Sequence, residues 1–174
     1  MTITKLRGAA AIIAVATGLA GPALAQESTN VIGTEGDWTI FGGSNPKECW
    51  AVSPPKSSAN TRDGKTVQVE RGDIRLYIAY RPGAAGEVSF TGGYPFKPGS
   101  TVKVDVGGNK FDLFTEGENA WTGSNGEDAK LIAALRAGSS ATLTAVSSRG
   151  TQTVDTFSLS GITAATNKAK ASCQ

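Results

Sequence analysis

The 174-residue sequence has no histidine, two cysteines and one methionine. Without histidine the commonest general base is missing, and with it every Ser–His or Cys–His nucleophile pair. The same lack, with no Cys-x-x-Cys spacing, disfavours a metal centre or a reactive thiol. Charge of one sign is equally scarce. Residues 26–174 carry 15 basic and 15 acidic side chains and are therefore neutral overall. Nucleic-acid binding calls for a basic stripe, and an anionic membrane surface calls for a polybasic patch; neither is present. Aromatic residues make up only 7% of the chain, while glycine is plentiful at 22.

The first 25 residues are read apart from the fold. Lys5 and Arg7 precede the apolar run Ala9 to Ala20, Gly21-Pro22 breaks it, and Ala23-Leu24-Ala25 places small residues at a peptidase site. This is the pattern of a secretory signal, residues 1–25, cleaved before Gln26. The apolar run is too short for the roughly 20 residues of a bilayer span, which disfavours a membrane anchor. No cysteine stands at the cleavage point to take a lipid. The expected destination is the periplasm or the medium. Residues 26–174 are long enough for a single domain with a sizeable core.

Export changes the meaning of the cysteines. In an oxidising compartment Cys49 and Cys173 have one pairing open to them, which predicts a disulfide across 124 positions.

Most of the chain alternates with the two-residue period of strands. Residues 33–43, containing Trp38, read as the first strand, and Glu48 to Val52 as the second. Ser53 to Lys65 is polar and interrupted, and is expected to be a surface loop. Thr66 to Val69 alternates briefly. Then Ile74, Leu76, Ile78 and Tyr80 share one face of a stronger strand. Arg71-Gly72-Asp73, a tripeptide used by adhesion ligands, precedes it, and is read here as turn chemistry. Glu87 to Phe90 is another strand. Val102, Val104 and Val106 turn through Gly107-Gly108-Asn109 into a partner strand containing Phe111 and Leu113. Asn119 to Thr122 is a further short strand. One internal helix is expected after Ser124, with Glu127 and Asp128 in its first turn, an apolar stripe of Leu131, Ile132 and Leu135, and Gly138 at its end. Ser140 to Val146 alternates again.

The closing segment has three parts. Ser148-Arg149-Gly150-Thr151 suits a two-residue turn, Gln152 to Leu159 a strand, and Ile162 to Ala171 a short helix carrying Cys173 back to Cys49. Asp155 shares a strand face with Phe157 and Leu159. It is expected either at a wet rim or buried beside a cation such as Arg149, and the structural pair Arg149–Asp155 is the preferred reading. The fold class is mainly β, a single-domain β-sandwich or open barrel of about ten short antiparallel strands, with one internal helix and a short C-terminal helix.

Taken together, Trp38, Cys49, Gly93-Tyr94-Pro95, Ala120-Trp121, the helix to Gly138, Ser148-Arg149-Gly150-Thr151, Asp155, Phe157-Ser158-Leu159, Gly161, Ala164-Ala165 and Cys173 resemble the invasion-associated locus B (IalB) family. The resemblance implies an exported, mostly β domain from an alphaproteobacterium and an association with entry into host cells. It implies no catalytic residues and no cofactor.

An enzyme is disfavoured. Paired carboxylates could cleave glycosides, but Glu116 and Glu118 fall at a strand-to-turn junction, and Glu127 and Asp128 are accounted for by the helix start. The favoured class is an interaction module whose partner is an envelope protein or a host protein. A carbohydrate-binding module and a stress-related structural protein are the alternatives. Sugar binding would need exposed aromatics, for which Trp50, Tyr77, Tyr80, Tyr94 and Trp121 are the candidates, although each is also a core residue type.

Overall fold

The computed structural model describes residues 30–45 and 47–174. The expected signal, residues 1–25, lies outside the described residues. Among the described residues twelve strands and two helices follow one another. The first seven strands are β1 (Val31–Glu35), β2 (Trp38–Ser44), β3 (Lys47–Ser53), β4 (Ser57–Arg62), β5 (Lys65–Thr66), β6 (Arg75–Tyr80) and β7 (Glu87–Thr91). After them come β8 (Thr101–Val106), β9 (Asn109–Glu116), β10 (Asn119–Trp121), α1 (Asn125–Ala137), β11 (Ser140–Val146), β12 (Gln152–Ser158) and α2 (Ile162–Ser172).

The strands form one antiparallel sheet in the order β1-β2-β3-β6-β7-β10-β9-β8-β11-β12-β4-β5. Among the described residues its two edges are not joined by a ladder, so the sheet is an open roll. The expectation of a mainly β sandwich or open barrel holds. The rolling is visible in contacts between distant strands. Phe90 on β7 meets Phe157 on β12 edge to face at 6.1 Å, although five strand steps separate them in the sheet. Trp38 on β2 donates its indole N–H to the Ser158 carbonyl at 3.1 Å. Inward positions along each strand follow the two-residue alternation, and Trp38, Ile78, Phe90, Leu113, Leu143 and Phe157 fill the interior.

Both helices lie where expected, the first one held by its predicted cap. The Ser124 side chain accepts the Glu127 N–H, and the chain leaves the helix at Gly138. Leu131 and Leu135 are buried. Asp128, also in the first turn, accepts the Val88 N–H at 2.7 Å, one position beyond the Ser89–Trp121 pair that ends the β7–β10 ladder. The helix thus takes over a bond that the short strand β10 cannot make. Helix α2 packs across β1, β2 and β3. Its entry is tightly built. Gly161 and Gly36 both have positive φ, and a Cβ on Gly161 would lie 2.1 Å from the Glu35 carbonyl. Only glycine lets the β1–β2 turn and the β12–α2 turn press together.

Three boundaries depart from expectation. The first predicted strand is two, split at Gly36-Asp37 into the hairpin β1–β2. The link from β11 to β12 is a five-residue loop, Ser147 to Thr151, closed by the Ser147 N–H donating to the Thr151 carbonyl at 2.8 Å. The larger correction concerns Ser53 to Lys65, which is not a loop. Strand β4 pairs with β12 from Thr156↔Ser57 to Gln152↔Thr61. Its polarity misleads because Ser58, Asn60 and Arg62, which alternate onto one face, meet polar partners in Asp155, Arg71 and Thr151 rather than an apolar core, and Ser58 and Arg62 stay exposed.

Candidate functional site

The polar interior is built on β12. Alternation puts Thr153, Asp155 and Phe157 on the inner face, and all three are fully buried or nearly so. Register sets Ser58 of β4 opposite Asp155, and the Ser58 hydroxyl donates to Oδ1 at 2.6 Å. From the connection between β5 and β6, Arg71 reaches the same carboxylate with both guanidinium arms. Nη1 donates to Oδ1 at 2.8 Å and Nη2 to Oδ2 at 2.7 Å. The Arg71 side chain is 6% exposed and that of Asp155 is 0% exposed. Nε of Arg71 donates to the Gly92 carbonyl at 3.0 Å, and the guanidinium carbon lies 4.9 Å from the centre of the Tyr94 ring. The Tyr94 hydroxyl shares a 2.5 Å hydrogen bond with Thr153. Gly93 has positive φ, and a Cβ there would strike the Gly72 backbone, so the two segments meet through glycine alone.

This cluster spans a seam that the sheet leaves open. On one side stand β4 and β12, on the other the segments flanking β6 and β7. Arg71 joins them with bidentate, charge-assisted bonds, the geometry in which such pairs are strongest. The expected pair of Arg149 and Asp155 is therefore corrected: the cation on Asp155 is Arg71. Asp155 points into the roll, whereas Arg149 sits exposed in the β11–β12 loop at the strand's end. The adhesion-like tripeptide is likewise spent on architecture, because its arginine is held by Asp155. Burial pushes the Tyr94 hydroxyl above its ordinary range, and the Thr153 bond and the Arg71 charge offset part of that rise.

Above the cluster lies a cleft of about 300 Å³ whose walls include Arg62, Glu70, Tyr94, Glu118, Arg149 and Thr151. Arg62 donates to Thr151 at 2.6 Å. Arg71 also lines the cleft but is neutralised by Asp155, and the remaining cations Arg62 and Arg149 are matched in number by Glu70 and Glu118, so the cleft has no net sign. Of the carboxylate pairs weighed for hydrolysis, Glu127 accepts the Gly123 N–H and Asp128 the Val88 N–H, both at the start of α1. Among the described residues no group of three His, Cys, Asp or Glu is arranged to hold a metal ion.

The five candidate aromatics divide. Tyr80 is 6% exposed and faces inward, and burial raises its hydroxyl pKa. Tyr94 belongs to the buried cluster. Trp50, Tyr77 and Trp121 are half-buried and share the outer face of the sheet. Successive registers align Tyr77 with Ser89, Ser89 with Trp121, Trp121 with Phe114 and Phe114 with Thr101. Phe114, not among the candidates, is 48% exposed and lies 5.6 Å from Trp121 with the rings tilted by 33°. Its signal was present in the alternation of β9, which places Leu113 inside and Phe114 outside. The row extends the other way through Val52 to Thr39.

Cys49 on β3 and Cys173 after α2 are joined, with Cα atoms 5.7 Å apart, so the C-terminal helix is bonded to the strand it covers. Among the described residues no helix is long and apolar enough to cross a membrane.

These features define a disulfide-closed antiparallel β-roll with a neutralised polar seam and an aromatic outer face. The chain belongs to the invasion associated locus B (IalB) protein family, whose sequence profile matches residues 38–170. It is similar in fold to invasion associated protein B from Bartonella henselae, at TM-score 0.55 and 19% sequence identity over 79% of this chain and 94% of that one. No curated protein matches the chain.

Proposed function

We propose that this chain is an exported, non-enzymatic envelope protein that acts by holding a macromolecular partner against the outer face of its sheet. The carrying observation is the row in which Tyr77, Ser89, Trp121 and Phe114 stand on successive strands, with Trp50 on the strand beside Tyr77, Trp121 half-buried and Phe114 exposed, on a chain poor in aromatics. The strongest charge pair is consumed internally, since Arg71 and Asp155 neutralise one another inside the seam. Export follows from the leader pattern and accords with the disulfide. The family and its Bartonella henselae neighbour are both named for invasion, and we extend that association to this chain as contact between the bacterium and a host cell.

The test compares two surfaces on the mature, oxidised protein. A triple outer-face variant, Tyr77→Ser, Phe114→Ser and Trp121→Ser, and a cleft variant, Arg62→Ala with Arg149→Ala, are each measured for retention on washed bacterial envelopes and on cultured host cells. Retention of the wild type and the cleft variant, with loss in the outer-face variant, is expected. Equal retention of both variants, or none by the wild type, refutes the proposal.

A further inference from the structure

Resting on that reading, we infer that the row from Tyr77 to Phe114 is a platform for a neutral glycan chain. Three features of the row point to this chemistry. The first is composition. Thr39, Val52, Tyr77, Ser89, Trp121, Phe114 and Thr101 stand in register across seven strands, and none is charged. Aromatic rings are interspersed with hydroxyls. A pyranose ring presents an apolar C–H face and a rim of hydroxyls, so it can stack on the first and hydrogen-bond to the second.

The second feature is the flanks. The next row on one side runs Arg75, Thr91, Asn119 and Glu116, and the other side holds Glu87, Asp112 and Lys103. The flanking charges are largely matched on the protein itself. Arg75 pairs with Asp73, Arg81 with both Glu48 and Glu87, and Lys103 with Asp112. Such rims offer an anionic polysaccharide no unmatched cation. Asn119 on the rim and Ser89 within the row are neutral groups for sugar hydroxyls.

The third is extent. Tyr77 on β6 and Phe114 on β9 are three strand steps apart, about 14 Å at ordinary strand spacing, the reach of a short oligosaccharide. Because the sheet is rolled, its outer face is convex, which suits a single flexible chain over a rigid crystalline surface.

The experiment uses the mature, oxidised protein in native gels cast with a soluble neutral glucan, a neutral galactomannan or anionic alginate, beside an array of neutral and charged glycans. Retardation by a neutral polymer is expected, with tryptophan fluorescence responding to the same polymer. Trp121→Ala is expected to weaken it about tenfold, the worth of one stacked ring. Phe114→Ser, at an exposed position, gives a second readout if the tryptophan variant folds poorly. Binding confined to alginate and abolished by salt overturns the inference, as does binding unchanged in both variants. No binding to any glycan, with envelope or host-cell retention still dependent on the row, also overturns it and leaves the interaction-module reading standing with a protein occupant. Loss of that retention as well would remove both.

Discussion

Removing the carboxylate of Asp155 is the sharpest perturbation of this fold. In Asp155→Asn the bidentate pair is broken and the Arg71 charge, 6% exposed, loses its counter-ion. Removing one partner of a buried pair costs about 3–5 kcal/mol, because the survivor is left charged and dry. A domain has only about 5–15 kcal/mol in total, so this variant should lose about a fifth of its stability or more. Arg71→Met should cost a similar amount, since Asp155 keeps only the Ser58 hydroxyl. The double variant Arg71→Met with Asp155→Asn removes both charges and closes the cycle with the two single variants. Ser58 is exposed and can turn to water, so the remaining cost is chiefly the Gly92 carbonyl, about 1–3 kcal/mol for a group left unpaired. The double should therefore be more stable than either single variant, a strong non-additivity in a double-mutant cycle. The assay is urea unfolding with the disulfide intact, followed by tryptophan fluorescence, with unchanged slopes as the check on two-state behaviour. Arg149→Ala serves as the control and should stay within about 0.5 kcal/mol of wild type, as an exposed loop residue. The reasoning is refuted if the two single changes simply add, or if Arg149→Ala costs as much as Arg71→Met.

Two further outcomes follow from the described contacts. Replacing Cys49 and Cys173 by alanine should lower stability by about 4–5 kcal/mol on the chain-entropy account of a loop of 124 residues, read from urea midpoints; ready labelling of both thiols in the native, unreduced protein would show that the bond does not form. Stability should also fall as the solution is made alkaline. Tyr94 is raised above the ordinary tyrosine value of about 10 chiefly by burial, so its contribution is complete below pH 10 and is lost as the pH climbs toward its folded value. Tyr94→Phe should show a shallower decline in urea midpoint between about pH 9 and 11, whereas an identical decline in both proteins would contradict the linkage.

The parts of this fold that could be read from sequence are those whose signals are local. Ser124, Glu127 and Leu131 announce α1 within one or two turns, and Val102 to Leu113 carries its hairpin in a single stretch. Strand β4 could not be read in the same way. A strand is recognised by an apolar face, and the face of β4 that touches the rest of the fold is Ser58, Asn60 and Arg62, which bond to Asp155, Arg71 and Thr151. The same cause hid the partner of Asp155. Arg149 is six positions away and Arg71 is 84, and no period in the sequence links residues across that distance. The outer row was half legible. Alternation shows that Tyr77 and Phe114 point outward, but only strand order sets them in one row, because β10 enters the sheet between β7 and β9. Periodicity therefore reports which face a residue occupies, while the pairing between distant segments decides what that face becomes. That division explains why the aromatic candidates had to be sorted by register: of five similar residues, three met on one surface, one filled the core, and one was stacked on a buried arginine.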